Sequence, residues 1–176
     1  MSTEIRLTPT AFIVLGLLSE AGEATPYDLK QIVATTLGDF WSLPHAQLYA
    51  EPERLTAAGL LSERRERSGR RRKHYKLTAA GERALEEWIA EPTPERTELR
   101  DPGLLKIFFG ADPLAMAAVQ LPLRRRKVEQ YEELLAQIDG HVPGGMALTL
   151  RAGIGHEREW VRFWTELLEA GDGKVE

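Results

Sequence analysis

After Thr8-Pro9 the apolar side chains Phe12, Leu15 and Leu18 recur every third residue, and Val14 and Leu17 broaden the stripe. That spacing gathers them on one side of an α-helix. After Thr25-Pro26 a second stripe follows, Leu29, Ile32, Val33 and Leu37. Thr followed by Pro is a start signal, because the hydroxyl caps the first turn and proline has no N–H to leave unpaired there. Asp101-Pro102 and Asp112-Pro113 repeat the signal later in the chain. A third helix is expected from near Ser42, with Pro44 in its first turn, through Leu48, Leu55 and Ala58 to Gly59. Pro52 lies inside it and cannot donate to the carbonyl of Leu48. The pattern therefore predicts a kink, or two helical pieces with the second starting at Pro52.

The pentapeptide LTAAG occurs at 55–59 and again at 77–81. A helical pattern precedes the first copy, so Gly59 reads as the left-handed residue that ends a helix. A helical pattern, ERALEEWI, follows the second, so Thr78 reads as an N-cap. Between them lie two short segments, Leu60 to Arg65 and Arg72 to Leu77, in which Tyr75 and Leu77 alternate with His74 and Lys76. Alternation predicts half-buried strands, and Ser68-Gly69 predicts a hairpin tip between them.

Beyond Trp88 the segment AEPTPERTELRDP, rich in proline and charge, reads as a linker. LLKIFFGA is expected to form a short apolar helix buried against its neighbours. A long helix from Pro113 to about Asp139 is expected to bend or break near Pro122. Along it Leu121, Val128 and Leu135 are seven apart, with Tyr131 and Ile138 between, a heptad seam. A last helix over 145–170 carries Ile154, Val161 and Leu168 at the same spacing, beside Trp160, Trp164 and Leu167. Two such faces on a region attached to a domain with its own core call for a cover. A second copy of the chain is the economical one, giving a two-fold dimer through Leu121, Val128, Tyr131, Leu135, Ile138, Val161, Trp164 and Leu168.

Composition narrows the chemistry. The 176 residues include no Cys, which excludes disulfides, thiol nucleophiles and cysteine metal sites. The longest apolar run, Ala11 to Leu18, is far short of a membrane span and lacks the flanks of a signal peptide, so the chain is expected to be soluble and cytoplasmic. The four histidines, His45, His74, His141 and His156, are scattered. HEREW at 156 lacks the second histidine of a zinc-peptidase helix, and no glycine-rich phosphate loop stands in strand–helix context. No catalytic residue, metal ligand or cofactor is expected. The net charge is −4, from 23 Lys+Arg against 27 Asp+Glu, yet seven of the ten residues from Arg64 to Lys73 are basic. An anion-binding site must therefore be local, and it sits on the expected hairpin.

Three helices, a hairpin and a fourth helix form the order of a winged helix-turn-helix domain. The motifs L-x-LL near the start, FW-S-x-x-x-x-Q-LY before the third helix, R-L-x-x-x-GL-L after it and Y-x-LT-x-x-G at the end of the hairpin resemble the PadR family of bacterial transcriptional regulators. The resemblance covers about residues 7–90 and is specific as a set. Glu51-Pro52 departs from it, since many relatives have an uninterrupted helix there. It implies a mainly α fold: a winged helix-turn-helix domain over 1–90, a linker and short apolar helix over 91–111, and a helical dimerisation domain over 112–176. It also implies a homodimeric repressor acting on double-stranded DNA.

A helix fits the major groove, and in helix-turn-helix proteins the N-terminal residues of the recognition helix reach the bases. Here those are Ser42, His45, Gln47 and Tyr49. Arg70, Arg71, Arg72 and Lys73 would meet phosphates from the wing, and Tyr27 and Lys30 would touch backbone from the second helix. Some relatives bind flat ligands near their dimer interface, so Trp160 and Trp164, one turn apart, are candidates for stacking on a small aromatic effector, against a plain dimer core. The competing reading of the whole chain is a winged-helix adaptor that binds proteins rather than an operator.

Overall fold

Helix α1 (Pro9–Ala21) starts where the sequence signals it: the Thr8 hydroxyl accepts from the Ala11 N–H at 3.3 Å. It ends at Gly22, whose φ of 74° lets its N–H turn back to the Leu18 carbonyl. At the head of α2 (Pro26–Thr36) the capping is reciprocal. Asp28 accepts from the Thr25 N–H and hydroxyl at 2.9 and 2.8 Å, and the Thr25 hydroxyl accepts from the Asp28 N–H at 3.3 Å. The computed structural model describes residues 5–36, 41, 43–68, 71–138 and 144–172, and it divides into two units, residues 1–95 and 96–176.

Helix α3 (His45–Ala57) begins later than expected, with Pro44 in the cap position and no side-chain cap; Ser42 lies outside the described residues. It runs through Pro52 as one helix rather than two pieces. Pro52 is fully buried, as are Leu48 and Leu55. Packing of its ring offsets the missing hydrogen bond to Leu48, which is why the break expected from the sequence does not occur. Strands β1 (Leu61–Arg65) and β2 (Lys73–Leu77) pair antiparallel, with Leu61 opposite Leu77 and Arg65 opposite Lys73. Ala24, between α1 and α2, adds two backbone hydrogen bonds to Tyr75 and locks the hairpin to the helices.

Both copies of LTAAG behave as their flanks dictate. Gly59 has φ 77° and follows α3, while Thr78 caps α4 (Ala79–Ala90) by accepting from the Gly81 N–H. The two copies also meet: the Thr78 hydroxyl donates to the Gly59 carbonyl at 2.7 Å, and its N–H donates to Leu60 at 3.1 Å. The root of the hairpin is thereby fastened to both α3 and α4. The core of this unit gathers Val14, Leu15, Leu18, Leu29, Leu48, Leu55, Tyr75 and Leu85.

In the second unit, Asp101 caps α5 (Pro102–Phe108), accepting from Gly103 and Leu104 N–H at 2.7 and 3.0 Å. The expectation that this apolar helix is buried is corrected. Leu104 and Ile107 pack inward, but Leu105 is exposed and Phe108 and Phe109 are 82% and 78% exposed. A seven-residue helix has one inward stripe at i, i+3, and the other side faces out. Helix α6 (Pro113–Ile138) continues through Pro122 without a break. Ala118, whose carbonyl loses its donor, lies on the exposed side where water can replace it.

Helix α7 (Gly144–Asp172) returns along α6, with Gly171 beside Leu114 and Gly153 beside Tyr131, so the two are antiparallel. This pairing changes the role of the heptad stripe. Leu121 and Trp164 are buried in the unit's own core, and Val161 and Leu168 pack against it. Val128, Tyr131, Leu135 and Ile138 are partly covered in the same chain. The seam read as intermolecular is largely satisfied within the chain, because a neighbour joined by a short connection closes at small entropic cost. The apolar side chains left exposed are others: Phe108, Phe109, Val119, Leu123 and Leu148.

Candidate nucleic-acid interface

Leu48, Pro52 and Leu55 turn one side of α3 into the core, and helical geometry then forces Ala46, Tyr49, Ala50, Glu53 and Ala57 outward. The small side chains leave the α3 backbone open to close approach. Tyr49 is 48% exposed on this face. Gln47 is exposed too, but its Oε1 accepts from the Thr10 hydroxyl of α1 at 2.8 Å. Half of the amide that would read adenine bidentately is already engaged. His45 opens the helix; its side chain, like all of Ser42, lies outside the described residues. Arg54 turns away from this face, pairing with Glu51 and donating to the Arg6 carbonyl at 3.3 Å. At the start of α2, Tyr27 is 59% exposed and Lys30 is half-buried.

The hairpin carries the basic cluster as anticipated, but most of its cations are not bare. Arg64 forms a two-pronged pair with Glu23, at 2.9 and 2.8 Å. Arg72 meets Glu66 at 3.0 Å, and Nε2 of His74 lies 3.1 Å from the same carboxylate. Lys73 bridges Glu53 of α3 at 2.5 Å and Glu63 of β1 at 3.3 Å, while Arg65 also reaches Glu63 at 3.3 Å. The pairs polarise each other. Hydrogen bonds from His74 and Arg72 hold the Glu66 carboxyl at about 2, and the Arg64 guanidinium lowers Glu23. Burial opposes ionisation of Glu63, but Lys73 and Arg65 outweigh it and keep it low. Lys73 is raised by its hydrogen bond to Glu53.

Of the wing residues singled out from the sequence, Arg72 and Lys73 are therefore engaged by carboxylates and Arg70 lies outside the described residues. Arg71, at φ 49°, is exposed. Among the described residues, Arg67, Arg71 and Lys76 have no ion-pair partner. Sequence reasoning missed Thr10, Glu23 and Glu53, since nothing local marks a residue 41 or 37 positions from its partner. Glu53 was signalled only by falling seven residues after Ala46 on the outer stripe.

The tryptophan pair of the second unit is not an open platform. Trp164 is fully buried and stacks on Trp160 at 6.1 Å, and Phe163 meets its edge at 4.8 Å. The guanidinium of Arg124 lies 5.4 Å from the Trp160 ring centre. Arg124 in turn bridges Asp101 of the α5 cap at 3.1 Å and Glu157 of α7 at 3.2 Å. The basic run 124–127 thus begins with a structural arginine. Nearer the other end of the hairpin, a groove of about 420 Å³ between α6 and α7 is floored by Leu135, Ala136 and Ile154 and rimmed by Arg151 and Arg158. Among the described residues no three His, Asp or Glu side chains are placed to hold a metal ion, and no helix is long and apolar enough to cross a membrane.

Residues 14–87 match the transcriptional regulator PadR-like family. The chain is 28% identical over 172 residues to the negative transcriptional regulator PadR of Bacillus subtilis, covering 89% of this chain and 94% of that one. The crystal structure of Bacillus subtilis PadR in complex with operator DNA superposes with a TM-score of 0.81 at 24% identity, over 94% of this chain and 99% of the other. The same protein in complex with p-coumaric acid gives 0.75 at 24% identity, over 95% and 99%. With the winged-helix order, the capped helices and the basic hairpin all in place, the chain shares the fold of these proteins, and its residues 14–87 are similar to the PadR-like transcriptional regulators.

Proposed function

We propose that this chain is a cytoplasmic, non-catalytic repressor that binds operator DNA as a homodimer and is released by a small aromatic effector. The observation that carries the reading is the pairing of an outward α3 face, Ala46, Tyr49, Ala50 and Glu53, with a wing whose cations Arg67 and Arg71 are unpaired among the described residues. The first suits a groove and the second suits the phosphates beside it. Tyr49, Gln47, His45 and Ser42 are the proposed base-side residues. Arg70, Arg71, Arg72 and Lys73 are the proposed phosphate-side residues, with Tyr27 and Lys30 at the edge.

A second copy is supported by the apolar side chains that the chain itself leaves uncovered, Phe108, Phe109, Val119, Leu123 and Leu148. For the effector, the relative crystallised with p-coumaric acid supports a small aromatic acid. The groove between α6 and α7 suits it better than Trp160 and Trp164, whose faces are already occupied.

The test is selection of bound fragments from genomic DNA, followed by anisotropy titration of the winner. Two-fold symmetric half-sites about 10 base pairs apart are expected, as a dimer of helix-turn-helix units requires. Addition of p-coumaric acid as the probe should lower the affinity. A folded, dimeric protein that enriches no duplex would refute operator binding and favour the adaptor reading.

A further inference from the structure

We infer that Glu66 and Glu23, with Glu53 and Glu63 beside them, are specificity-determining residues that hold the wing's cations in reserve until an operator displaces them. The inference rests on the DNA-binding reading and adds how the same surface separates operator from bulk DNA.

Each carboxylate occupies the hydrogen-bonding groups of a wing cation. Glu66 accepts from the backbone N–H and the side chain of Arg72 at 3.2 and 3.0 Å and faces His74 at 3.1 Å. Glu23 takes both prongs of Arg64. Lys73 is shared by Glu53 and Glu63. These pairs are on the surface: the side chains of Arg64 and Arg72 are 60% and 61% exposed. Such pairs contribute little to stability and exchange readily for another anion. One of them, Lys73–Glu53, joins the wing to the recognition helix, which gives the set a different use.

Among the described residues, the wing cations without an ion-pair partner, Arg67, Arg71 and Lys76, are those that non-specific DNA meets first. Engaging Arg64, Arg72 or Lys73 requires a phosphate to replace a carboxylate that is already in hydrogen-bond geometry. That exchange is close to neutral in charge and gains little counterion release. It becomes worthwhile only when base contacts from α3 hold the phosphate in register. Glu53 ties the two events together, since it lies on the outer face of α3 and holds the wing's Lys73.

The experiment uses the full chain and two duplexes of equal length, the selected operator fragment and its scrambled version, titrated by anisotropy across salt concentrations. Glu66→Gln should tighten binding to the scrambled duplex by about 3- to 10-fold and steepen its log–log salt dependence by about 0.9 per protomer, one more cation being free to release a counterion. Operator affinity should change by less, so the ratio of the two falls. In an Arg72→Ala background the effect of Glu66→Gln should vanish, which separates an exchange at Arg72 from a general loss of negative charge. Glu23→Gln, which frees Arg64 from outside the wing, should act the same way and guards against a local distortion of the hairpin.

Operator binding by the wild type with an unchanged scrambled-duplex affinity in both variants would overturn this inference alone. So would a Glu66→Gln effect that persists in full without Arg72. Failure of the wild type to bind either duplex would overturn it together with the proposed function.

Discussion

Gly81→Ala tests whether the root of the wing is as tightly fastened as the structure shows. In an ordinary helix the change stabilises by about 0.5–1 kcal/mol, because alanine loses less backbone freedom on folding. At this position a Cβ would lie 2.2 Å from the Leu60 carbonyl oxygen and 3.0 Å from Cδ2 of Leu77. The first contact is to backbone, so no side chain can rotate away. Moving α4 back by about 0.8 Å would restore a 3.0 Å contact. That displacement strains the Thr78 N–H bond to Leu60 and the Thr78 hydroxyl bond to Gly59. Overpacking of a close contact costs about 1–3 kcal/mol and a strained backbone hydrogen bond about 1 kcal/mol more. The net expectation is a loss of about 2–3 kcal/mol, or roughly 10–20 °C in Tm for a unit of this size. Gly16→Ala in α1, where a Cβ meets nothing within 4 Å, is the matched control and should stabilise by about 0.5–1 kcal/mol. Urea denaturation followed by circular dichroism measures both, and amide exchange at Ala24 and Tyr75 assigns the loss to the first unit. Equal stabilisation by the two substitutions would refute the close approach of α4 to the hairpin.

Three further outcomes are expected. Arg124→Met leaves the carboxylates of Asp101 and Glu157 together without their cation, and thermal denaturation should show a loss of about 3 kcal/mol in the second unit, the usual cost of breaking a largely buried ion pair from one side. Because the Glu66 carboxyl is lowered from 4.5 to about 2, its contribution to ordering the wing is complete above pH 4.5 and is lost as pH falls towards 2; wing amides should therefore lose exchange protection across that window. Arg67→Ala with Arg71→Ala should weaken binding to operator and scrambled duplexes alike and reduce the salt slope by about 1 per residue in each protomer, measured by anisotropy.

The helix starts were legible because their signals are local. Thr8, Thr25 and Thr78 each act on N–H groups within three residues, and Pro9 and Pro26 need only a free first turn. The two LTAAG segments could be told apart by flanks alone, and Gly59 and Thr78 took the roles those flanks assign. Proline was the weaker guide. Pro52 and Pro122 both lie inside continuous helices, one in the core and one on an exposed side, and a sequence does not say whether burial or water will offset the lost hydrogen bond. The heptad positions of α6 and α7 were visible as a stripe, but a stripe does not name its partner. Leu121 and Trp164 found theirs in the same chain, leaving Phe108 and Phe109 outside.

The basic cluster shows the same limit in electrostatic form. Seven cations in ten residues announce an anion site, and the pattern places them on the hairpin. Two of their counter-ions, Glu63 and Glu66, lie within the hairpin, while Glu23 before α2 and Glu53 on α3 are brought near only by the fold. A count of wing arginines therefore overstates the charge offered to DNA, because pairing converts Arg64, Arg72 and Lys73 from bare cations into exchangeable ones. Among the described residues, what the wing presents before any partner arrives is a smaller charge at Arg67, Arg71 and Lys76. An acidic protein can thus carry a strongly basic segment without holding every polyanion it meets, provided its own carboxylates occupy most of that segment first.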